Sequence, residues 1–210
     1  MSSARLTSEK PINALIVTVA VAYILWYFAF MIEFSSFWTR LAISSTVLLF
    51  MCAALAWNGS FPGKVGLNWR ALIIGICWGL GMYVATLMSY KAVENYVRDD
   101  AGAVYALMGD VDVGLVVLTL LYVSFTEELY WRGFVFETLS CGLGVTKALL
   151  LTTLFYSTIH IWTSNLPLML VAAVAGLLWG VLYRLTRSVF SAWASHALWD
   201  LMVFVFLPLR

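Results

Sequence analysis

Thr126-Glu127-Glu128-Leu129-Tyr130-Trp131-Arg132-Gly133 closes an apolar run that begins near residue 111, and it puts two carboxylates and a guanidinium at the run's far end. The run is long enough to cross a bilayer, whose hydrocarbon core takes about 20 helical residues. A charge near the middle of a membrane helix costs roughly 2.5–3.5 kcal/mol or more, so such groups face a bundle interior, pair with one another and mark a functional pathway. The sequence is 210 residues long, 63% hydrophobic and only 11% charged. Its mean hydropathy is +0.93. A soluble domain of that length has too little interior to hide so much apolar surface. The expected fold is therefore all-α, a polytopic membrane helical bundle.

Apolar runs of spanning length lie at about 11–32, 36–57, 71–90, 111–130, 145–163, 166–184 and 188–207, which predicts seven transmembrane helices, or eight if the polar stretch between Lys91 and Asp110 hides a short one around Ala101 to Met108. Breaks are expected at Glu33, at Asn58-Gly59-Ser60-Phe61-Pro62-Gly63-Lys64, over Lys91 to Asp110, at Cys141-Gly142-Leu143-Gly144, at Ser164 to Pro167 and at Arg184 to Ser188. No linker divides the chain, so residues 1–210 read as one membrane-embedded domain, with N-terminal helices over 1–110 and a second group of helices over 111–207.

Arg5, Lys10, Lys64, Arg70, Lys147, Arg184 and Arg187 fall on one side if every run spans once, which places the N-terminus in the cytoplasm. Glu33, Asp99-Asp100, Ser164 to Pro167 and Arg210 fall on the other. Asn58-Gly59-Ser60 matches a glycosylation sequon, but on the cytoplasmic side it reads as a turn. Trp26, Tyr27, Trp38, Trp57 and Trp69 lie near expected helix ends and read as interfacial anchors. Cys52, Cys77 and Cys141 are odd in number and lie in or beside apolar runs, as small hydrophobes rather than a disulfide or zinc framework. The net charge of +1 offers no basic face, so nucleic acid is excluded as a partner.

Histidine occurs only at His160 and His196, both inside apolar runs. An antiparallel pair pivoting near Leu143-Gly144 brings Glu127 and Glu128 level with His160, each roughly 24 Å from the turn. His196 lies only about 14 Å beyond the Arg187 turn, so a tilted or irregular last helix is needed to bring it level. Glu128 and Arg132 are i, i+4 and share a helix face, whereas Glu127 points about 100° aside. Glu128 and Arg132 therefore read as a supporting ion pair that leaves Glu127 free as a base. His196 and Asp200 share a face in the same way, as do Tyr156 and His160. A carboxylate and an imidazole converging in a low-dielectric pocket can activate water for attack on a carbonyl, with hydrogen-bond donors holding the oxyanion.

At these positions the chain resembles the CPBP family of intramembrane proteases, also called the CAAX protease or Rce1-like family. Glu127-Glu128-Leu129-Tyr130-Trp131-Arg132 matches its Glu-Glu-x-x-x-Arg motif. Tyr156-Ser157-Thr158-Ile159-His160 matches Phe-x-x-x-His with Tyr in place of Phe, and His196-Ala197-Leu198-Trp199-Asp200 matches His-x-x-x-Asn/Asp. The stretch from Gly176 to Ser188 also has the family's look. The resemblance implies a glutamic-type endopeptidase in which Glu127 and His160 activate water and His196 and Asp200 stabilise the oxyanion. Glu128, Arg132 and Tyr156 would support the site. Asp200 donates to an oxyanion only when protonated; ionised, it can only orient His196.

The family has been described both as metalloproteases and as glutamate proteases. A zinc ion on Glu127, His160 and His196 is the alternative to the metal-free mechanism expected here, because a ligating Glu127 is no longer free as the base. The expected partners are the lipid bilayer and a membrane-associated protein or peptide substrate. The expected location is a prokaryotic plasma membrane, with the site opening toward the extracytoplasmic side. Two rivals remain from other classes, a non-catalytic relative acting as a peptide-binding immunity or scaffold protein and a transporter with a Glu-His proton relay.

Overall fold

The structure, a computed structural model, describes residues 3–63, 65 and 67–209, with side chains from Ile12 onward. Lys64 and Arg210, and the side chains of Arg5 and Lys10, all used in the charge bias, lie outside the described residues. The described chain is all-helical: α1 (Ser3–Met31), α2 (Phe37–Trp57), α3 (Trp69–Ala106), α4 (Val113–Glu128), α5 (Glu137–Leu143), α6 (Val145–Thr158), α7 (Leu166–Thr186) and α8 (Val189–Leu201). Wide π turns follow α4 (Leu129–Phe136) and α8 (Met202–Phe206), and a 3-10 turn follows α6 (Ile159–Thr163).

The helix starts are written in local chemistry. Ser36, Asp112, Asn165 and Ser188 cap α2, α4, α7 and α8, each side chain accepting a backbone N–H three residues on, at 3.2, 3.2, 2.8 and 3.3 Å. Asn58-Gly59-Ser60 is the turn it was expected to be, with Gly59 at φ +71° and the Ser60 N–H donating to Asn58 Oδ1 at 3.1 Å. Gly144, at φ +80°, is the single residue that separates α5 from α6.

Among the described residues six helices are long and apolar enough to cross a membrane: Ile12–Met31, Phe37–Trp57, Trp69–Ala106, Val113–Leu143, Leu166–Thr186 and Val189–Phe206. The chain is a multi-pass membrane protein. Two expectations about the spans need correction. The run at 145–163 is helical but broken, since α6 has 14 residues, about 21 Å, before the backbone tightens into the 3-10 turn. Lys91 to Asp110 is a break only at its end: α3 runs unbroken to Ala106 over 38 residues, and the chain leaves the helix after it. At about 57 Å, α3 outreaches a hydrocarbon core of about 30 Å.

The loops expected to share a side do gather at one end of the bundle. Asn165 Nδ2 donates to the Asp100 carbonyl at 2.8 Å, Trp38 Nε1 to the Met108 carbonyl at 3.0 Å, and Arg40 to the Ile32 carbonyl at 2.6 Å. The aromatic assignments divide. Trp57 and Trp69 are exposed and Tyr27 partly so, but Trp26 and Trp38 are fully buried. Nearness to a helix end does not say which face a side chain occupies, and these two face inward. Cys52, Cys77 and Cys141 are free thiols.

α3 crosses α8 at close range. A Cβ added at Gly75 would overlap the Ser191 carbonyl, and one at Gly79 would lie 2.7 Å from the Ser195 carbonyl. Backbone cannot move aside as a side-chain tip can, whereas a Cβ at Gly81 meets nothing. Gly79→Ala is expected to cost roughly 1–3 kcal/mol and Gly81→Ala, in a helix interior with open space, to stabilise by about 0.5–1 kcal/mol, read by reversible unfolding in detergent.

Candidate active site

At the end of α4 the helix widens. Glu127 and Glu128 are its last two residues, and the π turn that follows carries Arg132. Such widenings re-aim side chains inside otherwise regular helices and are frequent at functional sites. Both carboxylates are buried, Glu128 completely, as is Arg132.

Glu128 Oε1 accepts two hydrogen bonds of 2.8 Å, from Arg132 Nη1 and from His196 Nδ1. The first was legible as an i, i+4 pair and the second was not. Arg132 Nη2 donates to the Gly176 carbonyl at 2.9 Å, and its guanidinium lies 5.1 Å from the Tyr156 ring centre and 5.7 Å from that of Trp179. Gly176 has to be small, because a Cβ there would lie 2.8 Å from Tyr156 Cδ1.

Glu127 turns away from this pair into a cavity of about 130 Å³ whose wall also includes Tyr156, His160, His196 and Asp200. All four residues assigned to chemistry, and Tyr156, thus meet around one space. The carboxyl of Glu127 has His196, Asp200, Glu128 and the Tyr156 hydroxyl as its neighbours. No direct hydrogen bond or ion pair joins Glu127 to His160; they share the cavity rather than touch.

The two imidazoles are held alike. His160 Nδ1 lies 3.1 Å from the Tyr156 carbonyl, and a carbonyl only accepts, so Nδ1 carries the proton and Nε2 is left as an acceptor. His196 donates through Nδ1 to Glu128, which leaves its Nε2 3.5 Å from Asp200 Oδ2. The His196 ring stacks on Trp179 at 3.8 Å and 21°, and Trp179 Nε1 donates to Ser195 Oγ at 3.1 Å. The irregularity expected of the last helix lies past the site, in the π turn after α8. His196 reaches Glu128 from regular helix.

Sequence reasoning missed Trp179 and Ser195 and the depth of Trp26 and Trp38, which also line the cavity. The one available signal for Trp179 was its position between Gly176 and Gly180, since small residues on one face of an apolar helix mark close packing.

A zinc ion does not fit these residues as they stand. Among the described residues no three His, Cys, Asp or Glu side chains form a metal-ligand group, and His196 already has a carboxylate at one ring nitrogen and faces another from the second.

A polytopic helical bundle with carboxylates and imidazoles set around one cavity is compatible with a membrane-embedded hydrolase. Residues 110–202, from just before α4 to the end of α8, match the family described as type II CAAX prenyl endopeptidase, Rce1-like, and over this stretch the chain is similar to that family of CAAX proteases. The recognition made on the motifs is borne out over this stretch. No curated protein and no solved structure matches the chain.

Removing one partner of a buried ion pair strands the other charge, which costs roughly 3–5 kcal/mol. Arg132→Leu is expected to destabilise by that order, through Glu128. Arg98→Ala, which removes an exposed partner of Glu94, is expected to leave unfolding unchanged. Denaturation in detergent compares the two.

Proposed function

We propose that this chain is a metal-free, glutamic-type intramembrane endopeptidase that hydrolyses a peptide bond in a membrane-associated protein or peptide. The observation that carries the reading is the convergence of Glu127, His160, His196 and Asp200 on one cavity. A water between Glu127 and His160 Nε2 loses a proton to the Glu127 carboxylate. The hydroxide adds to the scissile carbonyl carbon, and the proton on Glu127 then passes to the departing amine. The oxyanion needs a hydrogen to bind. His196 has committed its Nδ1 proton to Glu128, so the donor is a second proton held between His196 Nε2 and Asp200 Oδ2. This gives Asp200 a part it could not play as an isolated carboxylate. Glu128 and Arg132 hold His196 from behind and touch no substrate.

The chain works as one domain in a prokaryotic plasma membrane, N-terminus inside. The site opens at the end of the bundle that carries Glu33, Asp99-Asp100 and Ser164 to Pro167. Phe37, Met108 and Leu168, which stand at that end, line the same cavity as the catalytic groups and support this side. Prenylated C-terminal peptides, bacteriocin precursors and membrane sorting tails are the substrates to try.

Purified and folded Glu127→Gln and His160→Ala variants are expected to lose at least 100-fold in cleavage of a substrate that the wild type cuts, an order set by removal of a general base (about 10²–10⁴). Unchanged processing by both would end the reading of this site as the protease's. Chelation is expected to leave wild-type cleavage intact; loss on chelation with recovery on adding zinc would replace the metal-free mechanism. A C-terminal reporter active only in the cytoplasm is expected to read according to an N-terminus inside and a C-terminus outside, and strong signal would reverse the sidedness.

A further inference from the structure

His160 sits on the least regular part of the site. The 3-10 turn Ile159–Thr163 has poorer hydrogen-bond geometry than an α-helix, and it ends at Ser164 in the left-handed region, φ +52°. The bond from His160 Nδ1 to the Tyr156 carbonyl stays within this one segment. It orients the ring relative to α6 but does not fix the turn against the rest of the bundle.

That fixing comes from α1, which lies wholly before the stretch that matches the family. Trp162 Nε1 donates to the Tyr23 carbonyl at 3.0 Å, and the Trp162 indole meets the Tyr27 ring edge-on at 5.0 Å. On the other flank the Tyr23 hydroxyl is hydrogen-bonded to Thr158 Oγ1. The Thr158 hydroxyl already donates to the Leu154 carbonyl at 2.6 Å. A hydroxyl has one hydrogen, so in this pair Tyr23 donates and Thr158 accepts. A single residue of α1 therefore grips both sides of His160, position 158 by its hydroxyl and position 162 by its carbonyl. The Phe30 ring, 6.0 Å from the imidazole, stands against the same turn.

We infer that Tyr23 is a positioning residue for His160, holding the 3-10 turn so that the imidazole keeps its place on the cavity that Glu127 also lines. The inference rests on the reading of His160 as a water-activating group. An error of about 1 Å in the placement of such a group can cost up to 10²-fold in rate. It also gives the N-terminal helices a part in the chemistry, which the family motifs alone do not.

Two substitutions break the same bond from opposite ends. Tyr23→Phe removes the donor, and Thr158→Val removes the acceptor with little change in shape. Thr158→Ser keeps the acceptor. With the full-length protein in detergent and a peptide the wild type cleaves, Tyr23→Phe and Thr158→Val are each expected to lower kcat about tenfold or more, with KM within about twofold. The double variant is expected to fall no further than either single, because both remove one interaction. Thr158→Ser is expected to retain the wild-type kcat. Wild-type kcat in both Tyr23→Phe and Thr158→Val, losses confined to KM, or an equal loss in Thr158→Ser would each overturn the positioning role. His160→Ala separates the layers. If it cleaves normally, the reading of the site fails; if it is inactive while Tyr23→Phe and Thr158→Val are normal, only the role of Tyr23 fails.

Discussion

The buried carboxylate of Glu128 is the constraint on which the rest of the site depends. An ionised group with no access to water is tolerable only when its charge is matched and its lone pairs are used. Here Arg132 supplies the charge from one turn along the same helix, and His196 supplies a second hydrogen bond from α8 to the same oxygen, Oε1, while Oε2 is buried without a hydrogen-bond partner among the described residues. Arg132 in turn needs a further acceptor and finds the Gly176 carbonyl on α7. One acid at the end of α4 thus dictates where two other helices must lie. The cost of burial becomes a demand for specific neighbours, which the hydrophobic effect cannot impose inside a bilayer, where lipid is as apolar as the helix surfaces.

Meeting that demand requires the backbones to come close, and the glycines allow it. Gly176 admits the Tyr156 ring, against which the Arg132 guanidinium lies. Gly75 and Gly79 let α3 sit directly on the α8 backbone at Ser191 and Ser195. Ser195 then accepts from Trp179, whose ring supports one face of His196. Packing and polar satisfaction are one arrangement: α3, far from the acidic motif in sequence, helps hold His196 by setting α8 in place.

What could be read in advance follows from where the information lies. The spans and the Glu128–Arg132 pair are local, set by hydropathy over about 20 residues and by one helical turn. The levelling of Glu127 with His160 needed only a rise per residue and a glycine turn. The bond from Glu128 to His196 joins residues 68 apart and depends on a crossing no local pattern encodes. The reading of all of Lys91 to Asp110 as a break went wrong for a different reason, because polarity was taken as a stop signal. Lys91, Ala92, Glu94, Arg98 and Ala101 are sound helix formers, Glu94 and Arg98 pair at i, i+4, and the segment contains no proline. It leaves the membrane without leaving the helix. The inward turn of Trp26 and Trp38 was illegible for want of a face, since a helix apolar all round does not announce which side meets its neighbours.

The motifs end where the cavity does not. Trp26 and Phe30 of α1, Phe37, Trp38 and Leu41 of α2 and Val104 of α3 line the space that holds Glu127 and His160, and all precede residue 110, where the family match begins. Chemistry constrains a few atoms to tight distances, and such residues recur as short spaced motifs. A wall that excludes water and receives an apolar chain constrains only volume and polarity, which many side chains satisfy. Such a wall leaves no motif even when the site is incomplete without it. The grip of Tyr23 on both flanks of His160 lies between these cases. It is specific in its atoms, yet it belongs to a helix whose sequence otherwise reads only as apolar.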